Sequence, residues 1–436
     1  MTAFPPLTTR PAGPLRGTLT VPGDKSITHR AIILSALAEG EATISNYCQG
    51  EDCLHTVYAL QALGISVEIT DDRLTVSGKG LWGLQEPQQI LDCGNSGTGI
   101  RLLAGVLAGQ DFFSVLTGDA SIRKRPMGRV VGPLREMGAV IAGRRGGELA
   151  PLAITGARLH GLAYLSPIAS AQVKSSVLLA GLFAEGTTSV TEPSLSRDHT
   201  ERMLGYWGVP ITRNGLTVSL IGRPSYGAKD IAVAGDLSAA AFFLVAASLV
   251  PDSDVTIVNV GVNPTRKGVL EVLHTMGARI DILNLREEAG EPVADLRVRA
   301  TSLHGIMIDE SQIPSTIDEL PVLCVAAACA QGETVISGAR ELRVKESDRI
   351  AAMATELRRM GVAVEERPDG LRILGGRPLK GAVCQSHGDH RVAMSMAVAG
   401  LVAQGETRVV DTACVATSFP RFDKKLRGLL TPSNQG

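Results

Sequence analysis

The sequence predicts an Ala-rich α/β protein built from two similar domains, and three observations carry that prediction. The first is length: 436 residues exceed one ordinary core and suffice for two domains of about 200 residues each. Composition is the second, because 44% of the residues are hydrophobic but only 3% aromatic, and the 48 Gly accompany abundant Ala, which suits helices packed closely on sheets. The third is internal repetition. A polar start containing Gly or Ser, an Ala/Leu-rich helix and a short strand recur about every 70 residues.

Six copies of that pattern begin at Gly23 (GDKSITHRAIILSALAEGEATISN), Gly94, Ala169, Gly235, Ser315 and Gly388. Between them run helices that end in Met-Gly or a related pair, as in LREMGAV and LRRMGVAV, each followed by two strands. Glycine at those ends fits a left-handed C-cap. The composite unit is β-α-β-α-β-β, three per domain, which predicts one domain over 22–234 and a second over 1–21 plus 235–436. Repetition alone also occurs in solenoids and clamps, so function has to come from the side chains.

Charge and cysteine usage exclude several classes. With 43 Lys+Arg against 44 Asp+Glu the net charge is -1, so no general positive field draws nucleic acid or anionic membrane as a partner. The seven Cys are odd in number and include no Cys-x-x-Cys, which points away from a disulfide framework or structural zinc and toward a reducing cytoplasm. The longest apolar stretch, Ala239 to Val250, is too short to span a bilayer, and prolines interrupt the start MTAFPPLTTRPAG. No Ser-His-Asp order, metal-ligand spacing or Rossmann glycine pattern stands out, so neither metal nor cofactor is expected. His29, His55, His199 and His274 read as surface or packed histidines, whereas His390 stands between Asp389 and Arg391 on the sixth helix start.

Those helix starts are the informative feature. The first turn leaves free N–H groups and a partial positive charge, so each start is suited to an anion. Asp24, Asp236 and Asp389 have the ordinary reading of N-caps. Lys25 and Arg391 do not, because a cation in a first turn has the wrong sign for the helix dipole unless a bound anion reverses the balance. Small donors occupy other starts: Ser26, Asn95, Ser96, Gly97 and Thr98, then Ser170, Gln172 and Ser175. Gly97 lets backbone N–H groups approach a ligand closely. SIRKRPMGR, with Pro126 fixing the chain after Arg125, reads as an anion clamp, and LRVKESDR adds Lys345, Glu346 and Arg349. Glu346 could also be no more than an ion-pair partner of Arg349. Asp318 in STIDELP serves equally as a cap or, ionised among cations, as a base at neutral pH. The set describes an enzyme that holds small, multiply charged anions in a cleft between two domains.

The runs PGDKSITHR, CGNSGTGIR, RKRPMGR, ASAQVKSS, SRDHTE, GDLSAAAFF, STIDELP, LRVKESDR, GDHRVAM and ATSFPRF closely resemble the 5-enolpyruvylshikimate-3-phosphate synthases, in order from Val21 to Phe422. SRDHTE and ASAQVKSS resemble the wording of the bacterial class II branch. The resemblance implies two inside-out α/β barrels, helix starts facing a shared cleft, and a monomer. It implies transfer of the enolpyruvyl group of phosphoenolpyruvate to the 5-hydroxyl of shikimate 3-phosphate, releasing phosphate, on the route to chorismate and aromatic amino acids. Carried over by motif, Lys25, Ser26, Arg30, Ser170, Ala171, Gln172, Arg197, Asp318 and Lys345 would hold shikimate 3-phosphate. Lys25, Asn95, Gly97, Arg125, Gln172, Arg349 and Arg391 would hold phosphoenolpyruvate. Asp318 would take the hydroxyl proton, while Glu346 and Lys25 would manage the proton at the enolpyruvyl methylene.

One departure is visible: Thr417 stands where many members carry Lys, leaving Arg421, Lys424 or Lys425 to replace that contact, or none. The resemblance also implies sensitivity to glyphosate, which mimics phosphoenolpyruvate, because tolerant class II members have Ala where this chain has Gly97. Two rivals are a UDP-N-acetylglucosamine enolpyruvyl transferase, whose hallmark loop Cys is missing from Gly118 to Arg129, and a clamp-like repeat protein, which has no need of Asp318 and Glu346 among its cations.

Overall fold

The computed structural model describes residues 5–430; residues 1–4 and 431–436, which the domain prediction includes, lie outside the described residues. The chain divides into two compact units, one formed by Gly23–Ala234 with Glu287–Glu291, the other by Met1–Pro22, Gly235–Arg286 and Pro292–Gly436. Two details correct the predicted boundaries. Pro22 belongs with the second unit, and residues 287–291 belong with the first. These residues join the strands Arg279–Glu288 and Glu291–Arg299, and buried His199 Nδ1 lies 2.7 Å from buried Glu291 Oε1 while Arg202 donates to the Gly290 carbonyl. Sequence-distant contacts, not the repeat, assign this hairpin tip.

Within each unit, sheets enclose inner helices that are buried nearly all round. In Lys25–Leu37, every residue from Ile27 onward is buried, so this helix has no solvent face and its sequence shows no polar stripe. Gly97–Ala108 and Ala171–Gly181 pack beside it, Gly105 so closely against the Ser176 backbone that a Cβ would stand 2.2 Å from the Ser176 carbonyl oxygen. Each of the three sheets of this unit has one strand order: a short parallel edge strand, a central strand, then an antiparallel pair. Leu91–Asp92, Phe113–Thr117, Leu149–Thr155 and Val140–Arg144 illustrate it. The first sheet takes its edge strand, Ile231–Ala232, from the end of the unit, where it runs parallel to Glu39–Ser45.

The second unit repeats the plan around Leu237–Leu249, Leu320–Cys329 and His390–Ala399. Here the chain's first strands close two sheets: Arg16–Thr20 runs parallel to Asp254–Gly261, and Leu7–Thr9 runs antiparallel to Thr407–Val410. The expected glycine C-caps are present. Gly64, Gly138, Gly208, Gly277 and Gly361 all have positive φ, between 84° and 110°, where the outer helices turn into their strand pairs. All seven cysteines are free, and burial pushes the thiols of Cys324 and Cys329 up to about 12. Among the described residues no helix is long and apolar enough to cross a membrane.

Candidate functional site

The inner helix starts are capped as the polar residues there suggest. Asp24 accepts from Ile27 N at 2.9 Å, Ser96 from Gly99 N at 2.9 Å, Ser170 from Val173 N at 3.5 Å, Asp236 from Ser238 N at 2.8 Å and Asp389 from Arg391 N at 2.8 Å. The fifth start differs. Ser315 lies in a single turn, Ile313–Thr316, and the main helix begins only at Leu320, so Asp318 stands in the link between them and is not its cap.

In the unit containing Gly23–Ala234, Lys25 opens the first inner helix and its Nζ lies 2.7 Å from Asp52 Oδ2. Asp52 was not singled out in the sequence, since an acidic residue in the first turn of Glu51–Ala62 reads as ordinary dipole pairing. One turn further, buried Arg30 donates to the Ser26 carbonyl, Thr200 Oγ1 and Ser175 Oγ, each within 2.8 Å. Burial brings its pKa down to about 10 against the opposing pull of Glu201 and Asp24, so it remains a cation at neutral pH.

A second arginine, also not singled out, organises the next two starts. Arg101 Nη1 donates to Gln172 Oε1 at 2.6 Å and its Nη2 to the Pro126 carbonyl at 3.0 Å, while Gln172 Nε2 donates to Thr98 Oγ1 at 3.0 Å. Arg101 therefore ties the Arg125 loop to Gln172. Arg125 is buried and donates to Asn95 Oδ1 at 3.3 Å, and the Asn95 amide donates to Asp119 Oδ2 at 2.6 Å. A Cβ on Gly97 would stand 2.7 Å from Arg125 Nη1, so that side chain and Gly97 border the same space. Ser26, Ser170, Ala171 and Gln172 are half-buried, as is Arg197 in the loop before the helix His199–Tyr206.

His29 supports this cluster from below. It is buried, with Nδ1 2.7 Å from Thr56 Oγ1 and Nε2 3.1 Å from Ser96 Oγ, and burial together with Lys25 and Arg30 lowers its pKa from 6.5 to about 3. The folded state thus refuses a proton that the unfolded chain accepts below pH 6.5, and stability is lost as pH falls from there toward 3. Between pH 6.5 and 4.5 this group is expected to cost about 2–3 kcal/mol. Urea denaturation at pH 7 and 4.5 checks it: the pH-dependent loss should shrink by that amount in His29→Gln, and an undiminished loss would assign it elsewhere.

In the other unit, Arg349 is the centre. It opens the helix Arg349–Arg359, is 1% exposed, and its guanidinium lies 2.8 Å from Asp389 Oδ2, 2.5 Å from Glu346 Oε2 and 3.5 Å from Asp318 Oδ1. Burial disfavours this charge, but Asp389, Glu346 and Asp318 outweigh it and raise the Arg349 pKa above its ordinary value. Burial likewise pushes the Asp389 carboxyl up, yet Arg349 prevails and holds it below the usual range. Arg391 donates to the Asp318 carbonyl at 2.9 Å, with Nε 4.0 Å from Oδ1. Asp318 and Glu346 therefore flank one guanidinium while their own side chains keep 17% and 16% exposure. Lys345, half-buried, precedes Glu346 in the same loop.

At the fourth start Arg266 binds Asp236 and Ser238, and Ser238 donates to Glu319, so its polar groups bind one another. Thr417 Oγ1 donates to the Cys414 carbonyl at 2.7 Å and lies 3.4 Å from His390 Nδ1; Lys425 donates to Thr20, and Arg421 and Lys424 are exposed. Among the described residues no three His, Cys, Asp or Glu side chains converge as metal ligands. Chemically, one unit gathers cations and amide donors suited to anions, and the other places two accessible carboxylates against a buried cation, as acid–base chemistry on an anionic substrate requires.

Comparisons with known proteins agree with this chemistry. Residues 9–426 match the family model of EPSP synthase (3-phosphoshikimate 1-carboxyvinyltransferase). The 3-phosphoshikimate 1-carboxyvinyltransferase of Geotalea uraniireducens (strain Rf4) is 55% identical over 98% of this chain and 99% of its own, and that of Pelotomaculum thermopropionicum is 57% identical over 94% and 96%. The solved EPSP synthase from Acinetobacter baumannii is 47% identical, with a TM-score of 0.87 over 97% of this chain and 98% of its own. The enolpyruvyl transferase NikO from Streptomyces tendae, at 18% identity and a TM-score of 0.80, shares the fold. The clamp and the UDP-sugar transferase are set aside, and the chain belongs to the EPSP synthase family, catalysing transfer of the enolpyruvyl group of phosphoenolpyruvate to shikimate 3-phosphate.

Proposed function

We propose how the named side chains divide that reaction. Lys25, Ser26, Arg30, Ser170, Ala171, Gln172, Arg197 and Lys345 hold shikimate 3-phosphate, with Arg30 and Arg197 opposing its phosphate. Asn95, Gly97, Arg125, Arg349 and Arg391, with Lys25 and Gln172, hold the carboxylate and phosphate of phosphoenolpyruvate. Asp318 accepts the proton of the attacking hydroxyl as its oxygen bonds to C2. A proton reaches the methylene carbon from Glu346 or Lys25, giving a tetrahedral ketal phosphate. Loss of phosphate, which carries away the proton held by Asp318, and return of the methyl proton to its donor restore the double bond in the product. Cations around the departing phosphate stabilise its charge.

The observation that carries this reading is the placement of Asp318 and Glu346 on one buried guanidinium, each still reachable. Carboxylates so placed can meet the substrate and exchange protons with it. The chain acts, on this proposal, as a cytoplasmic monomer in the route to chorismate, a compartment supported by its free thiols. The phosphoenolpyruvate half is tested at Gly97. In Gly97→Ala the new methyl displaces Arg125 Nη1, and glyphosate inhibition is expected to weaken tenfold or more, about 1.4 kcal/mol. Inhibition constants for both forms decide it, and equal values, or a wild type indifferent to millimolar-range inhibitor, would remove Gly97 from that site.

A further inference from the structure

We propose that Lys174 is a positioning residue for the shikimate 3-phosphate half of the site, acting through the loop that carries Arg197; this rests on the assignment of Arg197 to the substrate phosphate. Lys174 lies on the inner helix Ala171–Gly181, one turn after Ser170 and two residues after Gln172, and is 2% exposed. A lysine so buried requires compensation. Its Nζ lies 2.8 Å from Glu192 Oε2 and 2.8 Å from Glu201 Oε1, with the Ser196 carbonyl at 3.5 Å. Both glutamates are buried as well.

These partners bracket one loop. Glu192 follows the strand Thr187–Thr191, Glu201 lies in the helix His199–Tyr206, and Arg197 sits between them. Glu192 also accepts from the backbone N–H and the hydroxyl of Ser196, the residue before Arg197. On the other side, Asp198 binds Arg202 and Arg213. The residues flanking Arg197 are thus pinned while Arg197 itself is half-buried. Thr200, next to Glu201, accepts from Arg30 and donates to Ser175, so the same network also sets the second phosphate cation. Lys174 supplies the charge that lets two buried carboxylates share this space, and without it their repulsion spreads the loop.

The test compares Lys174→Met with Arg197→Ala and wild type by steady-state kinetics with each substrate varied in turn. In Lys174→Met, KM for shikimate 3-phosphate should rise tenfold or more, with KM for phosphoenolpyruvate and kcat changed by less than about threefold; Lys174→Arg should recover most of the loss. A rise in Arg197→Ala without one in Lys174→Met overturns the positioning role, whereas unchanged KM in Arg197→Ala overturns the assignment beneath it. An equal loss for both substrates in Lys174→Met marks a purely structural lysine. Should that variant fail to fold, Lys174→Gln, which removes the charge but keeps an amide able to donate to Glu192, must show the same one-sided rise, and its absence is equally decisive.

Discussion

Asp318→Asn is expected to slow phosphate release by about 10²–10⁴-fold while KM for either substrate moves by only a few fold. Asparagine keeps the shape and can still meet Arg349, 3.5 Å away, but cannot take a proton. The backbone contact is untouched, since Arg391 Nη1 donates to the carbonyl of residue 318 rather than to its carboxylate. The loss should therefore fall on turnover. Steady-state assays with each substrate saturating check it, and a variant retaining more than a tenth of wild-type turnover would move the base elsewhere.

Arg349→Met is expected to damage stability as well as rate. The guanidinium is 1% exposed and is shared by Asp389, Glu346 and Asp318, so removing it leaves buried negative charge without its cation. Breaking a buried pair in this way costs about 3–5 kcal/mol, which corresponds to a fall in melting temperature on the order of 10 °C. The pH dependence has a definite sign. In the wild type, the depressed Asp389 pKa gives stability present above the unfolded carboxylate value and lost as pH falls through the folded one. In the variant, burial without Arg349 raises that pKa, so protonation relieves the defect and the gap to wild type narrows toward pH 4. Melting curves at pH 7 and 4.5 measure the gap, and an unchanged melting temperature at pH 7 would deny Arg349 its central place.

Local signals explain what was legible in the sequence. Asp24, Ser96, Ser170, Asp236 and Asp389 cap helices two or three residues away, and glycines such as Gly138 stop helices by their own backbone freedom, so both are visible in short stretches. Glu346 and Arg349 are also close in sequence. Asp52, Arg101 and Asp119 are different, because each meets its partner from a separate element and each looks ordinary in its own segment. The fifth start departs from the repeat for a local reason. STIDELPVLC looks like one apolar helix, but Pro321 fits a first turn, and the chain breaks after Thr316 and restarts at Leu320, which frees Asp318 from capping. Nothing near residues 287–291 announces their attachment to His199, a partner about ninety residues back that forms a buried hydrogen bond with Glu291.

If an acid–base pair set among cations performs enolpyruvyl transfer, phosphate release from the purified wild type with shikimate 3-phosphate and phosphoenolpyruvate together reveals it. Stoichiometric phosphate and enolpyruvyl product are expected only when both substrates are present, with release abolished or nearly so in Asp318→Ala and strongly reduced in Glu346→Gln. Release from phosphoenolpyruvate alone, no release at all, or undiminished release in both variants would contradict it.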